Sequence, residues 1–210
     1  MLGRHTAACL AVTVALSGAT HLYAQERLPP IPADRMTEAQ KKVAADFEKS
    51  RNSAPTGPFA VMLRVPELMD LSFKWRQHVQ SRNVLSQRQT EFIILMTARE
   101  WTQQYEWNAH YPAAIQAGLT TDLVTAIAEG RRPERLDEEL AILYDLCTEL
   151  QQRRSVSDAT YARALAKFGE PGIVEATSMA GYYTMLAMVM NTARTPVPGG
   201  AKPPLAAFPR

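Results

Sequence analysis

Between Arg99 and Gly118 the chain reads REWTQQYEWNAHYPAAIQAG, and this is where Glu, Gln, Tyr, Trp and His crowd together inside an otherwise apolar helical pattern. At about 3.6 residues per turn, Gln103, Glu106 and His110 fall at i, i+3 and i+7 and form one polar stripe. A proton-accepting carboxylate, an imidazole that titrates near neutral pH and a neutral amide on one line are the parts of an acid/base site. Glu106 and His110 at i, i+4 equally describe an ordinary solvated helix pair, and spacing alone leaves both readings standing. Glu91 stands immediately before the apolar block FIILM. A carboxylate at the head of a buried segment needs a partner or a raised pKa, because burying it alone costs several kcal/mol. His78 reads as a solvated or helix-capping histidine. Cys147, inside AILYDLCTEL, reads as a buried and inert thiol.

The elements that must position these side chains are helical throughout, and no alternating strand pattern is present; the expected fold class is all-α. Thr37, with Gln40 three residues on, opens a helix carrying Val43, Ala44 and Phe47 on one face, and NSAPTGP ends it at Asn52–Pro58. Phe59–Arg64 is a short apolar piece. Pro66 starts a helix that ends near Arg82 and presents Leu68, Leu71, Phe73 and Trp75. Ser86 caps a largely buried helix through Phe92, Ile93, Leu95 and Met96. After a break near Thr102 comes the polar-stripe helix, closed by Gly118. Pro112 inside it predicts either a kink after His110 or a late helix start. Shorter helices follow over 122–129 and 136–154, the latter with Leu140, Leu143, Leu146 and Leu150 inward, then over 157–168 up to Gly169. The last helix, 172–194, holds four methionines that read as core or subunit interface rather than a metal site.

Composition sets the outer bounds. The 210 residues are 46% hydrophobic and 21% charged, enough for one domain with a real core. A net charge of +2 with scattered basic residues makes no case for nucleic acid. CxxC, zinc-finger, GxGxxG and P-loop patterns are absent. Residues 1–24 have the layout of a cleaved secretory signal, with a basic start, an apolar run too short to span a bilayer, and Ala24 before a polar Gln25-Glu26. A periplasmic or secreted protein is the expectation, without membrane attachment after cleavage; an uncleaved anchor is the alternative. The remaining chain has one cysteine and therefore no internal disulfide. Its divisions are an N-terminal arm and helix over 25–54, a domain over 55–198 and a Pro/Gly-rich tail over 199–210.

Glu91, Arg99, Tyr105, Glu106, Trp107, His110, Ala114 and Gly118-Leu119 together form a block that resembles the carboxymuconolactone decarboxylase-like family, which shares its superfamily with alkyl hydroperoxidase D. The flanks GPFAVMLRVPELMD and GYYTMLAMVMNTARTPVP extend the resemblance over about residues 55–198. It implies an all-α bundle assembled as trimers or hexamers, with sites close to subunit boundaries. The redox branch of that superfamily uses a Glu, a CxxC pair and a His with three residues between it and the second cysteine. Carried over, Glu91 and His110 match, while Gln103 and Glu106 occupy the two cysteine positions. Thiol-based peroxide reduction therefore lacks both sulfurs.

What the resemblance leaves is a cofactor-free, metal-free acid/base set of His110, Glu106 and Glu91. His110 would donate the proton, and two carboxylates beside one imidazole raise its pKa and favour that role. Gln103, Arg99, Tyr105 and Trp107 would contact the substrate, although Arg99 could instead neutralise Glu91, and the two aromatic rings could pack at an interface. The expected reaction is decarboxylation or isomerisation of a small organic acid or lactone. Two alternatives stay open: a metal site built from Glu91, Glu106 and His110, and a non-catalytic binding protein on the same fold.

Overall fold

The computed structural model describes residues 25–81, 83–200 and 204–207. The expected signal segment lies outside the described residues. Eight α-helices and no strand are found among the described residues: α1 (Glu38–Arg51), α2 (Pro58–Met62), α3 (Pro66–Ser81), α4 (Gln87–Glu100), α5 (Gln104–Gln116), α6 (Thr121–Ala128), α7 (Glu138–Thr148) and α8 (Asp158–Ala193). The all-α expectation holds.

The helix starts follow local chemistry. Thr37 and Ser86 each close a capping box, with Gln40 and Gln89 reaching back to the cap N–H. Thr120, Asp137 and Ser157 cap α6, α7 and α8 more simply, each side chain accepting one backbone N–H of the first turn. Gly118 takes φ +91, and the N–H of Leu119 bonds the carbonyl of Ala114 to close α5. α5 continues past Pro112 to Gln116, so the proline removes one backbone donor without ending the helix. α8 is two helices in sequence, broken at Gly169 (φ 65, ψ 177), as the glycine stop predicts.

α4 is the centre of the bundle and packs against α5, α6, α7 and α8. Phe92, Ile93, Ile94 and Leu95 are fully buried, so this helix is apolar on all sides over one turn. Leu140, Leu143 and Leu146 of α7 and Met179 and Met190 of α8 complete the core around it, while Met188 stays exposed.

The expected buried face of α3 needs correcting. Met69, Ser72, Phe73 and Val79 face inward, whereas Leu68, Leu71 and Trp75 are 42%, 57% and 40% exposed. Two adjacent apolar stripes exist on this helix, and periodicity alone does not say which one meets the core.

Both ends of the domain are tied to it. The N–H of Arg27 bonds the carbonyl of Ala193, and Arg64 donates to the carbonyl of Pro29. In the tail, Leu205 is buried against the core cluster. The Gln104 side chain accepts from the Leu205 N–H and donates to the Leu205 carbonyl, both at 2.8 Å.

Candidate functional site

The corner between α4 and α5 sets the site. Thr102 turns the chain at φ 46, an unusual value for a β-branched residue and a strain of about 1–3 kcal/mol. Gln103 then caps α5. Its Oε1 accepts from the N–H groups of Tyr105 and Glu106, and its Nε2 donates to Asn191 Oδ1 at 2.9 Å. Asn191 in turn donates to the carbonyl of Trp101, locking α8 to the corner. Arg99 donates to the carbonyl of Ala206 at 2.7 Å. Gln103, expected on the polar stripe, thus spends both ends of its amide on holding the corner.

Three ionisable side chains meet beyond this corner. Glu91 comes from α4, and Glu106 and His110 come from successive turns of α5. His110 Nδ1 lies 2.8 Å from Glu91 Oε2, and His110 Nε2 lies 3.4 Å from Glu106 Oε2. Glu91 also accepts from Gln87 Nε2 at 2.8 Å through its other oxygen. The Glu91 and Glu106 side chains are 3% and 6% exposed and that of His110 14%, so all three charges are largely withdrawn from water. Tyr183 of α8 stands edge-on to the His110 ring at 5.2 Å, and Tyr182 stands edge-on to Tyr183 at 5.4 Å.

Burial by itself lowers the pKa of His110, but the contacts to Glu106 and Glu91 outweigh it and raise the value to about 9. At neutral pH the ring is therefore an imidazolium held between two carboxylates, and each N–H points at one of them. Burial also pushes the Tyr183 hydroxyl well above its ordinary value, with Glu106 adding to the effect. It acts here as an uncharged wall.

The remaining residues singled out in the sequence lie around this centre. Tyr105 packs over Gly57, where a Cβ would come within 2.6 Å of the phenol ring. Trp107 is buried in the core. Its edge borders a cavity of about 370 Å³ shared with Asn108, Tyr111, Pro112 and Pro204. His78 pairs with Glu175 of α8 at 2.7 Å instead of merely capping α3. Cys147 is fully buried and its thiol is pushed up to about 12, which removes it from thiolate chemistry.

The metal alternative loses its geometric basis. The two ring nitrogens point in different directions and each is already taken by one carboxylate, so the three donors do not converge on a common point. No group of three His, Cys, Asp or Glu side chains among the described residues is arranged to hold a metal ion. Sequence reasoning missed Gln87, Tyr183 and the tail clamp. Gln87 precedes Glu91 by one turn, and that i, i+4 spacing was the one signal available for it.

No protein-family model and no curated protein matches this sequence. Solved structures do. A structure described as an alkylhydroperoxidase AhpD core, an uncharacterized peroxidase-related protein from Ralstonia eutropha, superposes with a TM-score of 0.67 at 11% identity. The match covers 83% of this chain and 93% of that one. A protein of unknown function from Agrobacterium tumefaciens, suggested to be the antioxidant-defence protein AhpD, gives a TM-score of 0.55 at 17% identity over 65% of this chain and 94% of that one. The chain is an all-α bundle of the AhpD-like fold. At these identities the likeness concerns the fold alone.

Proposed function

We propose that the chain is a cofactor-free acid/base enzyme, a lyase or isomerase of the carboxymuconolactone decarboxylase-like kind, acting on a small organic acid or lactone. The observation that carries this reading is the imidazolium of His110, fixed firmly through Nδ1 by Glu91 and loosely through Nε2 by Glu106.

In a decarboxylation, the carbon–carboxylate bond breaks, carbon dioxide leaves, and the electron pair stays on carbon. His110 Nε2 delivers its proton to that carbon and becomes neutral, and a proton from solvent restores the imidazolium. Glu91 holds the ring in place throughout, and its charge keeps the donor form populated between turnovers. In an isomerisation, Glu106 takes a proton from carbon and His110 returns one. The 3.4 Å contact is loose enough for either exchange without breaking a strong hydrogen bond.

Export and assembly as a trimer or hexamer belong to the same proposal. Self-association would cover Leu68, Leu71 and Trp75 on α3, which are exposed in the single chain. Among the described residues no helix is long and apolar enough to cross a membrane.

One observation favours the non-catalytic alternative. The cavities of about 480 and 610 Å³ on the described surface are lined by other residues, Arg88 and Arg135 in one and Trp101 and Arg154 in the other. A screen of small carboxylic acids and lactones, with product formation followed by NMR, separates the two. Turnover that disappears in His110→Gln supports the enzyme. Turnover that survives in the variant, or none across the panel, sinks it and leaves the triad as a buried structural ion cluster.

A further inference from the structure

We propose that Arg76 is the anion-holding residue of the Glu91–Glu106–His110 site, and that the molecule accepted there carries a carboxylate. The proposal rests on the proton-transfer reading above and names the class of its substrate.

The geometry begins with α3. Ser72 and Arg76 lie one turn apart on the same face of that helix. Tyr182 Oη donates to the Ser72 carbonyl at 3.0 Å and lies 3.3 Å from Ser72 Oγ, while the neighbouring Trp75 ring is 5.1 Å from that of Tyr182. Tyr182 abuts Tyr183, and Tyr183 abuts His110. The face that carries Arg76 therefore packs against the aromatic pair that backs the imidazolium. Glu106, Tyr182 and Tyr183 are within electrostatic reach of the guanidinium, and so is Arg51 with the opposite effect.

Among the described residues, no carboxylate forms an ion pair with Arg76. Arg88, Arg131, Arg132 and Arg163 each hold an acidic side chain within hydrogen-bond distance. Arg76 is only partly exposed and makes no hydrogen bond or ion pair with another described residue. A guanidinium drawn out of water without a counter-charge is costly, and an incoming anion offsets that cost with two parallel hydrogen bonds. Burial, followed by the repulsion of Arg51, pulls Arg76 below the ordinary guanidinium value, as expected for a cation still waiting for its partner.

Charge decides the class of anion. Arg76, Arg51 and the imidazolium set three positive charges against the two of Glu91 and Glu106, a surplus of one. A monoanion cancels that surplus, whereas a phosphate dianion overshoots it beside buried carboxylates. A planar carboxylate also matches the guanidinium fork. Arg76 binds and orients; the proton moves through His110.

The test titrates the full-length protein, labelled with nitrogen-15 in histidine, with sodium acetate as the probe. We expect a saturable shift of the His110 ring resonances, an affinity at least about tenfold weaker in Arg76→Gln, and no matching response to sulfate at equal ionic strength. No saturable response in the wild type, or an unchanged affinity in Arg76→Gln, overturns the proposal. Should Arg76→Gln not fold, Arg76→Lys decides: several-fold weakening supports it and an unchanged affinity overturns it. The His110 pKa read in the same samples tests the other reading. A raised pKa without an acetate response sinks the Arg76 assignment alone. An ordinary pKa with acetate held through Arg76 sinks proton transfer alone.

Discussion

Among the described residues two histidine–glutamate pairs join separate helices, and they differ in almost everything except distance. His78 meets Glu175 at 2.7 Å and His110 meets Glu91 at 2.8 Å. The His78 side chain is 47% exposed and has one carboxylate, so water screens the pair. His110 is 14% exposed and has two carboxylates on different ring nitrogens. Contact distance is thus a poor guide to what an ion pair does. Burial and the number of like charges that one cation must hold apart determine whether it is a water-screened surface link or a tightly held buried cluster.

The sharpest way to break this contrast is to remove each imidazole. His110→Gln leaves two buried carboxylates without their cation, and urea unfolding should show a loss of about 3–5 kcal/mol. His78→Gln should cost no more than about 1 kcal/mol. Equal losses would mean the two sites are energetically alike.

A subtler variant keeps the ring and removes one charge. Glu106→Gln should bring the His110 pKa down from about 9 towards the ordinary value near 6.5, as followed by NMR of the ring protons. A value unmoved by the substitution would make Glu91 the sole partner that matters.

The same shift predicts a pH dependence of stability. The folded pKa of His110 lies above its unfolded value, so the folded state holds that proton more tightly. The triad's contribution is complete below about pH 6.5 and is lost as pH rises through about 9. Thermal melts across this window should fall in the wild type, and that slope should be missing in His110→Gln.

A smaller effect concerns the frame around the site. Gln104→Ala removes both hydrogen bonds to Leu205 and should destabilise the protein by about 1–2 kcal/mol. Hydrogen exchange should then show a freed tail while the His110 pKa stays raised. A collapse of that pKa would mean that the tail positions the triad, whereas the α4–α5 corner is expected to do so alone.

Much of the framework could be read directly. Caps at Thr37 and Ser86, the turn at Gly118 and the break at Gly169 follow from residues within four positions of one another, and local steric and hydrogen-bonding rules suffice there. α3 shows the limit: its two apolar stripes are equally good locally, and the choice between them belongs to the partner helices.

The site divides along the same line. The sequence by itself determined that Glu106 and His110 share a helix face, that no cysteine pair stands at 103 and 106, and that Glu91 heads a buried segment in need of a partner. Only the tertiary structure decided that His110 is that partner, that the ring is pinned from two directions, that Tyr183 walls it, and that Gln103 and Gln104 serve the corner and the tail. The physical reason is separation along the chain. A helix brings i and i+4 together through its own backbone, but residues 91 and 110, 110 and 183, or 104 and 205 meet only when packing around α4 removes apolar surface from water.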